Sequence, residues 1–162
     1  MKIAKDIVLD ETDIALLRIL QQDGGVSNLE LARRVNLSPP ATHTRVKRLQ
    51  QYGYIRQVVA LVNRELLGLN LLCFIQVSIQ LHQFEYAERF YTIIQQFPEV
   101  LECHHITGEY DYLLKIVVRD HRELEKFVIH KLTPIPGVAK LHTSLVFREV
   151  KTTTALPLAE AE

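Results

Sequence analysis

The chain is poor in the residues that mark several classes of protein. Its 162 residues include no tryptophan, one methionine and two cysteines. Two cysteines are too few to cross-link a disulfide-rich fold. We therefore expect Cys73 and Cys103 to be free thiols, buried in strands of a cytosolic protein. No apolar run reaches the length of a membrane span, and none follows Met1 as in a signal peptide. We therefore expect a cytoplasmic protein with no membrane partner.

The formal net charge is zero, but the two signs are unevenly distributed. Residues 1–64 carry ten Lys/Arg against six Asp/Glu, whereas residues 65–162 carry nine against thirteen. Between Glu30 and Glu65 there are seven Lys/Arg and no acid. A basic stretch of this kind attracts phosphate, which favours double-stranded DNA as a partner of the first half and a different task for the second.

The basic half contains two short helices with a very short connection. Ser27-Asn28-Leu29-Glu30 is typical of a capping box and predicts a helix through Val35. Ser38 then provides an N-cap, Pro39 stands at the first helical position and Gly53 ends the helix. Because only three residues join the helices, they must cross steeply, which predicts a helix-turn-helix whose second helix enters the major groove.

Helical periodicity gives this second helix an apolar back, formed by Thr42, Val46 and Leu49, and a basic front. We expect the front to neutralise phosphate and the first half of the helix to reach base edges. The candidate DNA contacts are Ser27, Asn28, Arg33, Arg34, Ser38, Pro40, His43, Thr44, Arg45, Lys47 and Arg48. The alternative is an ordinary helical hairpin with a solvated basic face. The uneven charge distribution favours DNA binding over this alternative.

The predicted fold class is α+β in two domains. Residues 1–53 form a three-helix headpiece whose first helix, Glu11 to Gln22, is capped by Asp10. Residues 54–69 are predicted to be a strand linker, residues 70–151 a second domain, and residues 152–162 a disordered tail.

The second domain shows a β-α-β-β-α-β order, which predicts a ferredoxin-like fold. We expect strands at 71–81, 100–107, 112–119 and 138–151, with two amphipathic helices between them. In this fold the helices cover one sheet face only. Leu72 and Phe74 make the other face partly apolar, so we infer a homodimer that packs through the sheets.

Residues 8–151 resemble the leucine-responsive regulatory protein/AsnC family. The resemblance rests on matching segments in the expected order: 9–10, 23–24, 27–35, 37–39, 45–49, 53–55, 102–104, 108–115 and 136–138. It implies a winged helix-turn-helix domain followed by a ferredoxin-like, effector-binding domain. It also implies a transcriptional regulator that is not an enzyme, with dimers assembling to octamers or larger forms and a small amino acid, such as leucine or methionine, bound between dimers.

The segment Gly108-Glu109-Tyr110-Asp111 is the candidate effector site. On pattern alone it could be only a hairpin turn. However, Asp111 offers a carboxylate for an ammonium group, and the backbone N–H groups of the turn can meet a carboxylate, so the pair suits a zwitterion. His105 lies beside this turn in sequence. By resemblance, the start of the second helix near His121 and the last strand near Thr143 and Ser144 complete the pocket across a dimer–dimer contact.

Three other readings carry less weight. Cys103-His104-His105 invites a metal site, but alternation along a strand turns His104 away from its neighbours, so no metal is expected. No nucleophile elbow, phosphate loop or dinucleotide fingerprint points to an enzyme or to a cofactor. The alternatives that stay open are an architectural DNA-compacting protein without an effector and a small metabolic enzyme with a ferredoxin-like domain fused to a headpiece.

Overall fold

The computed structural model describes residues 8–80 and 84–158. They form two compact units, one made of the chain up to Leu61 together with the segment from Lys151 onward, and the other of Val62–Val150.

The headpiece consists of α1 (Glu11–Gln22), α2 (Asn28–Arg34) and α3 (Pro39–Gln51). Each begins at the predicted cap: Asp10, Ser27 and Ser38 accept hydrogen bonds from first-turn N–H groups. Gly53 adopts a φ of +81° just beyond α3, a left-handed conformation that suits glycine. The core of the headpiece is formed by four buried leucines: Leu16, Leu17, Leu31 and Leu49. The helix-turn-helix prediction is confirmed.

The linker predicted as a strand over residues 54–69 is not one. Residues 56–63 have no regular structure and residues 64–68 form turns. A strand requires a neighbouring strand, and no strand of the described residues forms a ladder with this segment. Its first part belongs to the headpiece, because Ile55 packs on that core and its N–H donates to the Leu49 carbonyl over 3.3 Å.

The tail, predicted to be disordered, is ordered as far as it is described. Leu156 and Gln21 exchange two hydrogen bonds, and Leu158 packs against the headpiece core. The prediction was wrong because the extended segment finds partners for its backbone and for one leucine on α1.

The second unit contains β1 (Leu71–Ile79), α4 (Phe84–Ile94), β2 (Val100–His105), β3 (Tyr112–Val118), α5 (His121–Lys126) and β4 (Val138–Leu145). A π-helical segment, Phe127–Leu132, continues α5. The antiparallel strands are ordered β2-β3-β1-β4, which confirms the ferredoxin-like prediction. β4 ends earlier than predicted, because β1 begins at Leu71 and the Val146 N–H makes the last bond, to the Leu72 carbonyl.

The core of this unit lies between the helices and one sheet face. Cys73, Ile75 and Val77 alternate into it from β1, as predicted, while Leu81 lies outside the described residues. Two expectations about exposure were wrong. Cys103 is exposed, because β2 is an edge strand, and Leu72 is only 4% exposed although it belongs to the opposite face.

Candidate functional site

The starts of α2 and α3 are held together by short polar contacts. The Ser27 and Ser38 hydroxyls accept from the N–H groups of Glu30 and Ala41 over 3.2 and 3.4 Å. The Asn28 side-chain amide donates to the Pro39 carbonyl over 2.9 Å, which joins the two helix starts. These three candidate DNA contacts therefore fix the helix-turn-helix geometry while remaining exposed.

The outer side of α3 carries the side chains that the periodicity placed there. Pro40, His43, Thr44 and Lys47 are exposed, whereas Thr42 and Leu49 are fully buried. The Thr44 hydroxyl donates to the Pro40 carbonyl over 3.0 Å and keeps its lone pairs available as acceptors.

Arg48 does not follow the predicted arrangement, and Arg45, predicted on the flank of the helix, contacts the same acid. The Nη2 of Arg48 lies 2.6 Å from Oδ2 of Asp13, and the Nη1 of Arg45 lies 3.0 Å from Oδ1 of the same carboxylate. Asp13 belongs to α1 and is fully buried. We predicted Arg48 on the solvent-facing front of α3, but its guanidinium instead reaches back to α1. These arginines tie α3 to α1, and the buried carboxylate needs their charge.

Asp10 extends this cluster, which we call the Asp13 clamp (Asp10, Asp13, Arg45 and Arg48). Its Oδ2 lies 2.6 Å from Nη1 of Arg45. Burial alone would raise the pKa of Asp10, but hydrogen bonds from the Asp13 N–H and from Arg45 outweigh it and lower the pKa.

The arginines of α2 are paired as well. Glu30 accepts from Nε and Nη2 of Arg33 and from Nε of Arg34, each over 2.8 Å. Hydrogen bonds from Arg33 and then Arg34 lower the pKa of Glu30 to about 2, so its charge persists at neutral pH. The basic stretch is free of acids in sequence, yet acidic side chains neutralise most of it in space.

Lys47 and Arg56 have no acidic neighbour of this kind among the described residues. Within residues 8–80 and 84–158, no hydrogen bond or ion pair engages Lys47 or Arg56. Arg64 is paired with Glu149 over 3.0 Å inside the second unit. Lys47 is thus the cation on α3 that is available to a phosphate.

In the second unit, Gly108 lies in the connection between β2 and β3, with a φ of +124° that favours glycine. The Ile106 N–H donates to the Asp111 carbonyl over 2.8 Å and closes the turn. Among the described residues, no group accepts from the four N–H groups of residues 107–110. Consecutive unpaired N–H groups favour an anion.

Asp111 is fixed to the end of β1. Its N–H donates to the Val77 carbonyl over 2.9 Å, and its Oδ2 accepts from the Ile79 N–H over 2.7 Å. Oδ1 makes no hydrogen bond with the described part of the chain. The carboxylate therefore has one structural oxygen and one that is available.

β4 brings further polar side chains to this turn. Lys140 places its Nζ 2.5 Å from Oε1 of Glu109 and 4.9 Å from the centre of the Tyr110 ring, and His142 lies 6.2 Å from that ring. The hydrogen bond from Lys140 lowers the pKa of Glu109. Sequence reasoning did not identify Lys140 or His142 as site residues, because only the β1–β4 register reveals their position.

His105 is beside the turn, as expected: it pairs with Tyr112 and its ring stacks on the tyrosine ring at 5.0 Å. Three other candidates lie elsewhere in the unit. His121 follows β3, whose seven residues span about 20 Å from the turn. Thr143 and Ser144 pair with Ile75 and Phe74, farther along β1 and on opposite sheet faces. In the described ranges, no hydrogen bond or ion pair joins these three side chains to residues 108–111.

The described residues contain no group of three His, Cys, Asp or Glu side chains that could hold a metal ion. The register places Cys103 opposite Leu114 and His104 opposite Leu113, so the two point to different faces. No helix in the described ranges is long and apolar enough to cross a membrane.

Comparison with known families matches both units. Residues 9–56 match the winged helix-turn-helix DNA-binding family, and residues 72–156 match the Lrp/AsnC ligand binding domain. Together they define a DNA-binding transcriptional regulator, rather than an enzyme, with a domain that binds an amino-acid ligand. The chain belongs to the Lrp/AsnC family.

Individual relatives are similar in sequence to this chain along nearly its whole length. The transcriptional regulator AzlB of Bacillus subtilis is 36% identical over 95% of this chain and 98% of its own length. The leucine-responsive regulatory protein of Escherichia coli K12 is 38% identical over 91% of this chain and 90% of its own length. Among solved structures, a transcriptional regulator of Neisseria meningitidis in complex with L-Met is 41% identical, with a TM-score of 0.89 over 92% of this chain and 96% of that chain.

Proposed function

We propose that this cytoplasmic regulator binds its amino-acid effector at the Gly108 turn and that the effector changes its assembly and its DNA binding. The observation that carries the proposal is the turn itself, where unpaired N–H groups stand beside a carboxylate with one available oxygen. The carboxylate of a zwitterion needs hydrogen-bond donors, and its ammonium group needs an anion. Calorimetric titration with each of the twenty amino acids tests it, and the absence of any heat of binding would favour an architectural protein.

In the proposed arrangement, the α-ammonium group of the effector meets Oδ1 of Asp111. Its carboxylate meets the N–H groups of residues 107–110, and the nearby Lys140 ammonium adds attraction for that carboxylate. Methionine and leucine are the proposed effectors. The similar Neisseria meningitidis structure holds L-Met, and a 38% identical relative is named for its response to leucine.

His105 adds the ring next to the turn, and His121, Thr143 and Ser144 are proposed to come from a neighbouring chain. Their separation within one chain supports this division. A ligand held between chains stabilises the assembled state by mass action, so binding changes the oligomer size. We propose dimers that assemble to an octamer, with assembly setting the spacing of the headpieces on DNA.

The dimer contact is proposed on the sheet face that the helices leave open. Phe74 lies in the central strand β1, half-buried, opposite Lys115 and Ser144. Lys115 and His104 flank Glu102 on this face, with distances of 3.0 and 2.9 Å to its oxygens. An apolar centre with a charged surround resembles a protein–protein interface.

Replacing Phe74 by arginine should convert the dimer to a monomer at micromolar concentration, since it places a charge in the apolar centre. Sedimentation measures the size. Thr92→Arg, an exposed change on α4, is the control and should keep the dimer. A Phe74→Arg protein that sediments like the wild type would remove this face from the interface.

On DNA, Lys47 is proposed to contact phosphate, and Pro40, His43 and Thr44 to face base edges. Lys47→Ala should weaken binding to all sequences alike and lower the salt slope by about one. Its neighbour Arg48 should behave differently, because Arg48→Ala disrupts the Asp13 clamp and lowers headpiece stability. Binding isotherms at several salt concentrations, with unfolding curves, separate the two. Equal effects of both substitutions on slope and stability would contradict this division.

Arg33 and Arg34 are proposed to exchange Glu30 for a phosphate when DNA binds. Glu30→Gln should therefore tighten binding to all sequences and steepen the salt slope by about one, because the arginines no longer have an internal counter-charge. Glu11→Gln, an exposed change in the first turn of α1, is the control. Weaker binding by Glu30→Gln would show that Glu30 positions the arginines instead of competing for them.

A further inference from the structure

The C-terminal tail makes specific contacts with α1. Gln21 Oε1 accepts from the Leu156 N–H over 2.6 Å, and Gln21 Nε2 donates to the Leu156 carbonyl over 3.3 Å. Arg18 Nη2 donates to the Leu158 carbonyl over 3.1 Å, and Leu158 packs against the headpiece core. The side-chain amide of Gln21 thus binds the tail backbone as a neighbouring strand would.

We infer that the side of α1 bearing Arg18 and Gln21 is a docking surface for a short extended segment with a leucine, and that its occupant is the chain's own tail, residues 152–158. The two tail leucines differ in a way that supports this. Leu156 is 70% exposed and contributes its backbone, whereas Leu158 is half-buried and contributes its side chain. The surface therefore binds the backbone of the tail at position 156 and an apolar side chain at position 158.

The docked tail acts on the DNA-binding helix through α1. The same helix carries Asp13, whose carboxylate holds Arg45 and Arg48 of α3. A tail that stabilises α1 therefore stabilises the clamp that orients α3. The headpiece is also joined to the second unit by two segments of chain, because the tail returns to it after Val150.

The test is a chain that ends at Val150, compared with the full chain in DNA binding at fixed salt. Loss of three hydrogen bonds to the tail backbone and of one half-buried leucine should weaken DNA binding about tenfold. Adding a synthetic peptide of residues 151–162 should restore the binding. Unchanged binding by the shortened chain, or no effect of the peptide on it, would overturn the inference.

Point substitutions in the full chain provide a matched pair. Leu158→Asp should weaken DNA binding as the truncation does, because it places a charge against the core. Thr154→Asp alters an exposed tail side chain that makes none of these contacts and should leave binding unchanged. Amide hydrogen exchange in α1 should accelerate only in the first. Equal effects of the two substitutions would contradict side-chain recognition at position 158.

Discussion

Asp13→Ala should destabilise the headpiece by about 2–4 kcal/mol, because it removes the hydrogen bonds of a buried carboxylate to two guanidinium groups together with a helix-cap contact. Asp13 is fully buried, and both of its oxygens lie within 3.0 Å of a guanidinium nitrogen. The substitution leaves Arg45 and Arg48 without this counter-charge and also removes half of the capping box at Asp10. We therefore expect the headpiece to unfold at a lower temperature and DNA binding to be lost.

Glu11→Ala is the matched control, since Glu11 is an exposed acid in the same first turn. It should change the free energy of unfolding by no more than about 0.5 kcal/mol. Denaturant unfolding followed by circular dichroism measures both variants. A loss of DNA binding by Asp13→Ala without a loss of stability would mean that Asp13 acts on DNA and not through the clamp.

Asp111→Asn should shift the response to much higher amino-acid concentrations while leaving the fold intact. Asparagine keeps an oxygen to accept from the Ile79 N–H but removes the charge that the ammonium group needs. A hydrogen bond to a charged group contributes about 1.5–3 kcal/mol, so effector affinity should fall on the order of tenfold to hundredfold.

Asp111→Ala is a less informative variant, because it also leaves the Ile79 N–H without an acceptor and so lowers stability. Ser78→Ala is the control at the same turn: it removes only a 3.3 Å hydrogen bond to the Glu109 carbonyl. Effector titration and unfolding curves of Asp111→Asn, Asp111→Ala and Ser78→Ala distinguish the effect of the lost charge on affinity from the effect of lost stability. Wild-type affinity in Asp111→Asn would place the ammonium group elsewhere.

The helices of the headpiece were predictable because their signals are local. Asp10, Ser27 and Ser38 cap helices within three residues of themselves, so the bounds follow from the sequence. Strand alternation likewise placed Cys73, Ile75 and Val77 in the core.

Contacts between distant residues could not be read in the same way. The charges of Arg45 and Arg48 are balanced by Asp13, more than thirty residues earlier, so a basic run in sequence overstates the basic surface in space. Lys140 reaches the Gly108 turn through strand register, and the tail is ordered by contacts with Gln21, Arg18 and the headpiece core. Helical periodicity placed Arg48 on the front of α3 because it gives the position of the Cα atom only. The long arginine side chain carries its guanidinium to a different side of the helix.

The most direct test of the account is DNA binding at fixed salt with and without each amino acid, with oligomer size measured on the same samples. We predict that methionine, leucine or another amino acid shifts the binding midpoint and the oligomer size together in the wild type, and that Asp111→Asn needs on the order of ten to a hundred times more of it for the same shift. Identical binding curves and sizes with all twenty amino acids would contradict the account.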